Sequence, residues 1–395
     1  MKINKYLSVT ALCWLMSSCV EPVKTPSLAS PAASDPDGQL MNYGDPAWNS
    51  FAVKLTQSRE SKIHLFQLGD SHTAADLMSG PLRDHFQQKY GDGGPGFISP
   101  LPVPGNRYSH VHFSRDSGWA LTTSRKNSGQ NFSLGGNIAQ PIREQNQASF
   151  SLTDGQASLH VQALYRTQGN SELKLQNVSH PLKDTGGQWV FSPSYNINSP
   201  VSFSLSSQGN PALGGWMLTR PGGGVILSAA GINGAQISML NKWQSGWQQT
   251  LAQLQPDMVI LAYGTNEAFN DDLDINAYQT LLTEQVSMLR RQLPDTVIML
   301  IGPGSSVMHK QAAQCAAREP AKLRAVIAAQ RDVARQEKLL FWDWYSFMGG
   351  PCGIDRWAER GLARPDRVHL SADGYKKSAD ALWEQFDALV ESTAH

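Results

Sequence analysis

At 395 residues with 41% hydrophobic content, the chain can bury a large core with a smaller companion, which excludes the disordered and fibrous classes. Its 33 basic and 33 acidic residues balance, and nothing carries the electrostatic footprint of a nucleic-acid binder. Cleavage after Ser18 removes Lys2 and Lys5 but no acid, leaving a small acidic excess.

The N-terminus reads as an export signal over residues 1–18: basic Lys2 and Lys5, the apolar run Tyr6 to Met16, then small Ser17 and Ser18. That run is too short to span a bilayer. Leu15-Met16-Ser17-Ser18-Cys19 resembles a bacterial lipobox, with Met16 where Leu is usual, so Cys19 is expected to carry lipid. Residue 20 is Val rather than a retaining Asp, so the expected location is the periplasm, at the inner leaflet of the outer membrane. Residues 19–45, rich in Pro, Ser and Ala, read as a tether.

From residue 46 the texture is that of a folded domain. Ile63 to Leu68 predicts a strand and Ala74 to Tyr90 a helix, with Thr73 and Asp76 at capping-box spacing. Residues 105–217 change character: short alternating segments (Ser158 to Tyr165, Glu172 to Gln176, Val201 to Ser206) between Gly, Asn, Pro and Asp predict an inserted β-sandwich. Strand and helix then alternate through residues 218–395. The strands are Gly224 to Ser228, Met258 to Ala262, Val297 to Ile301 and Leu339 to Trp342; the helices are Gln236 to Leu254, Asn276 to Leu293, Lys322 to Glu337 and Ala372 to Val390. Near-continuous apolar strands between helices predict an α/β fold, a parallel sheet covered on both faces, assembled from 46–104 and 218–395. Ligands in such sheets bind beyond the carboxyl ends of the strands.

The chemistry-bearing residues fall at those ends. Ser71, after Gly69-Asp70, sits on a tight turn where its hydroxyl can project; most such serines are turn or cap residues. Asp366-Arg367-Val368-His369 sets an acid three residues before a histidine, so the carboxylate can hold one imidazole nitrogen while the other takes a serine proton. Gly264-Thr265-Asn266-Glu267 offers a side-chain amide, and Gly231-Ile232-Asn233-Gly234 a backbone N–H, toward an oxyanion. His72 reads as a wall of the site or a structural residue. His110 and His112 share one side of a strand without a third metal ligand, Trp119 and Trp189 read as buried sandwich aromatics or sugar platforms, and Trp243 and Trp247 as core. With Cys13 in the signal and Cys19 lipidated, Cys315 and Cys352 remain as a disulfide or two buried thiols.

Together these four blocks resemble those of the SGNH (GDSL-type) hydrolases, whose fold is a three-layer α/β/α sandwich. The resemblance implies Ser71, Asp366 and His369 as catalytic residues, and the Ser71 N–H, the Gly234 N–H (Gly231 as a weaker alternative) and the Asn266 side chain as oxyanion donors. GDSHTAADLMSGPLRDHFQQKYGDGGPGF, GINGAQ and AYGTNEAF are similar to the Ape-type peptidoglycan O-acetylesterases, which carry a carbohydrate-binding-like sandwich where this chain has its insert. The resemblance implies an esterase that removes acetyl from the C6 hydroxyl of N-acetylmuramic acid through an acyl-serine, with O-acetylated peptidoglycan as partner and no cofactor or metal. The alternatives are an O-acetyltransferase, an esterase for other acylated glycans or lipids, and a non-catalytic wall-binding lipoprotein.

Overall fold

The computed structural model describes residues 38–155 and 158–394, so the export segment, Cys19 and most of the expected tether lie outside the described residues. A six-stranded sheet runs in the order Leu40–Asn42, Leu340–Trp342, Val297–Ile301, Met258–Ala262, Lys62–Gly69, Gly224–Gly231. All neighbours are parallel except the first pair. Leu40–Asn42 lies inside the segment read as tether: Leu40 is buried, and Asp45 just after it accepts from the Ile298 N–H and pairs with Arg290.

Successive strand residues face opposite ways, and here both ways are apolar. Ile63, Leu65, Val225, Leu227, Met258 and Ile260 join the core under Trp48–Thr56, Ser79–Tyr90 and Ala372–Ala394, where Trp48, Phe86 and Phe386 pack edge to face. Phe66, Leu68, Val259, Leu261, Ile298 and Leu300 face Ile275–Gln292 and Leu323–Gln336. Each such large side chain contributes roughly 1.5–3 kcal/mol by leaving water.

Two predicted helices are interrupted. Instead of one helix from Ala74, a single turn Ser71–Ala74 is followed by Ser79–Tyr90, with Asp76 at φ 50° between them. Pro81 is the reason: in the interior of a continuous helix it would remove a donor and clash with the preceding turn, whereas in a first turn it is tolerated. The capping box expected at Thr73 and Asp76 is absent; Asp76 instead accepts from Ser79, Arg83 and Ser109. The segment Gln236 to Leu254 divides into a 3₁₀ stretch Ile237–Lys242 and the helix Trp247–Ala252, separated at Gly246 (φ 80°). Trp243 and Trp247 are core, with ring centroids 5.1 Å apart.

Between the serine and glycine blocks stand two antiparallel sheets, one of five and one of seven strands. Phe150, Leu173 and Phe203 from the first interdigitate with Leu159, Val161 and Trp216 from the second to form a β-sandwich core. The larger sheet takes in Gly96–Ile98, which pairs with Ala212–Thr219. Its other face, through Phe97 and Met217, joins the core of the α/β portion, where Trp189 is also buried.

Candidate active site

The central strand Lys62–Gly69 is flanked in register on both sides: Gly69 pairs with Gly231 and with Ala262. Three motif loops therefore leave the sheet at one level. The close approach requires the glycines: a Cβ on Gly69 would stand 2.2 Å from the Thr73 hydroxyl, and one on Gly231 would stand 2.1 Å from the Ala74 nitrogen.

Asp70 caps the turn Ser71–Ala74, its carboxylate accepting from the His72 N–H at 2.9 Å. Burial pushes Asp70 up to about 6, against the His72 and Thr265 hydrogen bonds and the charge of His369. Capping leaves Ser71 as the first helical residue. Its Oγ lies 2.9 Å from His369 Nε2.

His369 Nδ1 in turn lies 2.9 Å from Asp366 Oδ2, while Asp366 Oδ1 accepts from the N–H groups of Val368 and His369, each at 2.9 Å. This is the physical content of the three-residue spacing: an Asx turn lets one carboxylate hold both the backbone and the ring of the histidine. Arg367 takes φ 62° to close the turn, its carbonyl accepting from Val307 and its guanidinium 3.3 Å from Asp355. Burial works against the Asp366 charge, but the Val368 and His369 bonds outweigh it and hold the carboxyl below its ordinary value. The Nδ1 position is thus fixed as donor, leaving Nε2 free to accept from Ser71.

Gly234, at φ 77° with open space around its α-carbon, is glycine for its backbone conformation rather than for room. Neither its N–H nor that of Ser71 has a partner among the described residues. Asn266 Nδ2 donates to the Ala235 carbonyl at 2.9 Å, which uses one of its two hydrogens and ties the asparagine loop to the glycine loop. Gly231 carries its own load elsewhere, its carbonyl accepting from Asn106.

Glu267, inconspicuous in the sequence, braces these loops. Buried, it accepts from the Ile237 N–H at 2.7 Å and from the Gly264 N–H at 3.0 Å, joining the segment after the glycine block to the asparagine block. Burial, aided by the charge of Asp70 and opposed by those bonds, pushes it up to about 7. Its signal was a Glu three residues after Gly264, the reciprocal half of a capping box. His72 is buried behind the site with Nδ1 2.7 Å from the Tyr375 hydroxyl and its ring 5.2 Å from that of His369. Burial, and then the charge of His369, lower its pKa to about 3, so it stays neutral.

Other singled-out residues lie outside this cluster. Cys315 and Cys352 are joined in a disulfide, beside Glu319, which accepts from the Cys352 N–H. His110 Nε2 lies 3.3 Å from Asp84, and His112 is exposed. Trp119 and Trp189 are 5% and 3% exposed, so neither offers a face to a sugar ring.

Residues 93–202 match the family model described as peptidoglycan O-acetylesterase, N-terminal, and residues 202–377 match that of the GDSL-like lipase/acylhydrolase family. A search of curated protein sequences finds no match. Among solved structures, one described as "Peptidoglycan O-acetylesterase in action, 5 min" superposes with a TM-score of 0.82 at 32% identity, over 89% of this chain and 99% of that one. Family two carbohydrate esterases from Cellvibrio japonicus (11% identity, 71% and 98% coverage, TM-score 0.31) and Clostridium thermocellum (9%, 70% and 98%, 0.32) are too distant to argue from. With the serine, glycine, asparagine and Asp-x-x-His blocks gathered at one edge of the parallel sheet, the chain belongs to the peptidoglycan O-acetylesterase family of SGNH (GDSL-type) hydrolases.

Proposed function

We propose that this protein hydrolyses acetyl esters on the C6 hydroxyl of N-acetylmuramic acid in peptidoglycan, with Ser71 as nucleophile, His369 as general base and then acid, and Asp366 as the group that orients the imidazole. The observation that carries the reading is the unbroken relay of two 2.9 Å contacts, Ser71 Oγ to His369 Nε2 and His369 Nδ1 to Asp366. Ser71 attacks the acetyl carbonyl as His369 takes its proton. The resulting oxyanion accepts from the Ser71 and Gly234 N–H groups and from the remaining Asn266 hydrogen. Collapse expels the sugar hydroxyl, protonated by His369, and leaves acetyl-Ser71. Water, deprotonated by His369, then releases acetate. Nothing in these steps calls on a cofactor.

Such a substrate lies outside the cytoplasm. Acylation of Cys19 and anchoring at the inner leaflet of the outer membrane fit the leader sequence, with residues 105–217 as the inserted module and 46–104 with 218–395 as the catalytic one. The reading is tested by incubating the purified protein with O-acetylated peptidoglycan, with and without a chitooligosaccharide acceptor. Free acetate in both reactions is expected. Acetyl moved quantitatively to the acceptor would instead make it a transferase, and no release from peptidoglycan beside turnover of a small acetyl ester would point to another acylated substrate.

A further inference from the structure

A cleft of about 280 Å³ opens between the sandwich strands and the loop that carries the glycine block. Its floor is Gly231, Ile232 and Asn233, the residues immediately before the Gly234 oxyanion donor, and this floor is tied down by Asn106, which bonds both the Gly231 carbonyl and the Asn233 amide. The Ile232 N–H bonds the Gly69 carbonyl, so the floor also abuts the turn that carries Ser71. A ligand in the cleft therefore rests on the loop that leads to Gly234.

The walls carry three cations, Arg115, Arg125 and Lys126, and no acid. All three are exposed, and none makes a side-chain hydrogen bond or ion pair among the described residues. In a chain whose charges balance overall, and in which Arg83, Arg220, Arg290 and Arg318 all pair with carboxylates, three unpaired cations facing one cavity form a local positive field. Stacking is not what this cleft provides. The aromatic residue that lines it, Trp119, is 5% exposed and packs edge-on to Phe203. Its recognition chemistry is charge, since the amides of Asn106, Asn127 and Asn137 already donate to the Gly231, Thr123 and Gly135 carbonyls.

We propose that this cleft binds the carboxylates of the peptide arm borne by the same amino sugar whose acetyl group enters the active site. The inference rests on the peptidoglycan reading above. A muramic acid residue carries its acetyl on C6 and its peptide through the lactyl ether on C3, so the two substituents leave one ring in different directions and need two adjacent sites. The peptide contributes free carboxylates, matching the three cations. Arg115, Arg125 and Lys126 are specificity residues in this arrangement and take no part in the acyl chemistry.

The test uses the full chain and soluble O-acetylated peptidoglycan fragments, either native or with their carboxylates converted to amides. The wild type should show a KM roughly tenfold higher on the amidated substrate at low salt, as expected for a few solvent-exposed ion pairs, and the difference should shrink as salt rises. The variant Arg115→Gln/Arg125→Gln/Lys126→Gln should show the same raised KM on both substrates, with wild-type kcat/KM on a small acetyl ester certifying an intact fold and site. Equal KM values for the wild type on the two substrates, or discrimination retained by the variant, would overturn the inference and leave the esterase reading standing. Failure to release acetate from either fragment would overturn both.

Discussion

The parallel sheet buries nearly every strand residue and the β-sandwich alternate ones, and the two also differ in what happens where the strands end. In the sheet, Gly69, Gly231 and Ala262 stop at one level, and the loops that follow carry Asp70, Asn233 and Asn266, each held by a hydrogen bond. In the sandwich, Phe150, Phe203 and Trp216 interlock at the centre, while the polar ends scatter over turns. One region uses packing to place chemistry, and the other uses it to build a wall.

That contrast predicts that damage to the two regions separates activity from stability. His369→Ala removes the base and should lower kcat/KM on a small acetyl ester on the order of 10⁴-fold or more, with an unchanged thermal midpoint. Phe203→Ala, at the sandwich centre, should do the reverse: about 3–5 kcal/mol lost in chemical denaturation, with normal activity per folded molecule. Activity lost per folded molecule would show that the sandwich shapes the site directly. Asn266→Ala should lower kcat on the order of 10²–10³-fold through the missing oxyanion donor, and a change confined to KM would contradict that role.

The smallest effect concerns Glu267, whose carboxyl rises from 4.5 to about 7 on folding. Between those values the folded state holds the proton more tightly than the unfolded chain, so stability contributed by this group falls as pH rises and is lost above about 7. Glu267→Gln stays neutral throughout. Its melting temperature should therefore decline less than that of the wild type across that window, and parallel profiles would argue against the brace.

How much of this was legible beforehand follows the same division. The strands Met258–Ala262 and Val297–Ile301 were readable to the residue because both faces are apolar and the run simply ends. Ser71, Asp366 and His369 stood out only in company, through the four-block resemblance, and the structure adds why the last two are three apart: an Asx turn brings one carboxylate to both backbone and ring. Less visible was anything that depends on a partner distant in sequence. Asp76 has the spacing of a helix cap and instead gathers Arg83 and Ser109; Glu267 carries no evident role in the sequence and ties Ile237 to Gly264. The break before Ser79 had a local cause in Pro81, and the apolar periodicity around it masked that cause. Arg115, Arg125 and Lys126 are unremarkable in the sequence, because only the folded chain shows that no acid faces them.

The most direct test of the central claim is to mix the protein briefly with excess acetyl ester, quench, and locate acetyl by peptide mass analysis. Acetyl on Ser71 in the wild type, more of it in a variant that deacylates slowly, and none in an inactive Ser71→Ala is the predicted result. Wild-type turnover by Ser71→Ala, or acetyl carried on another residue, would contradict the account.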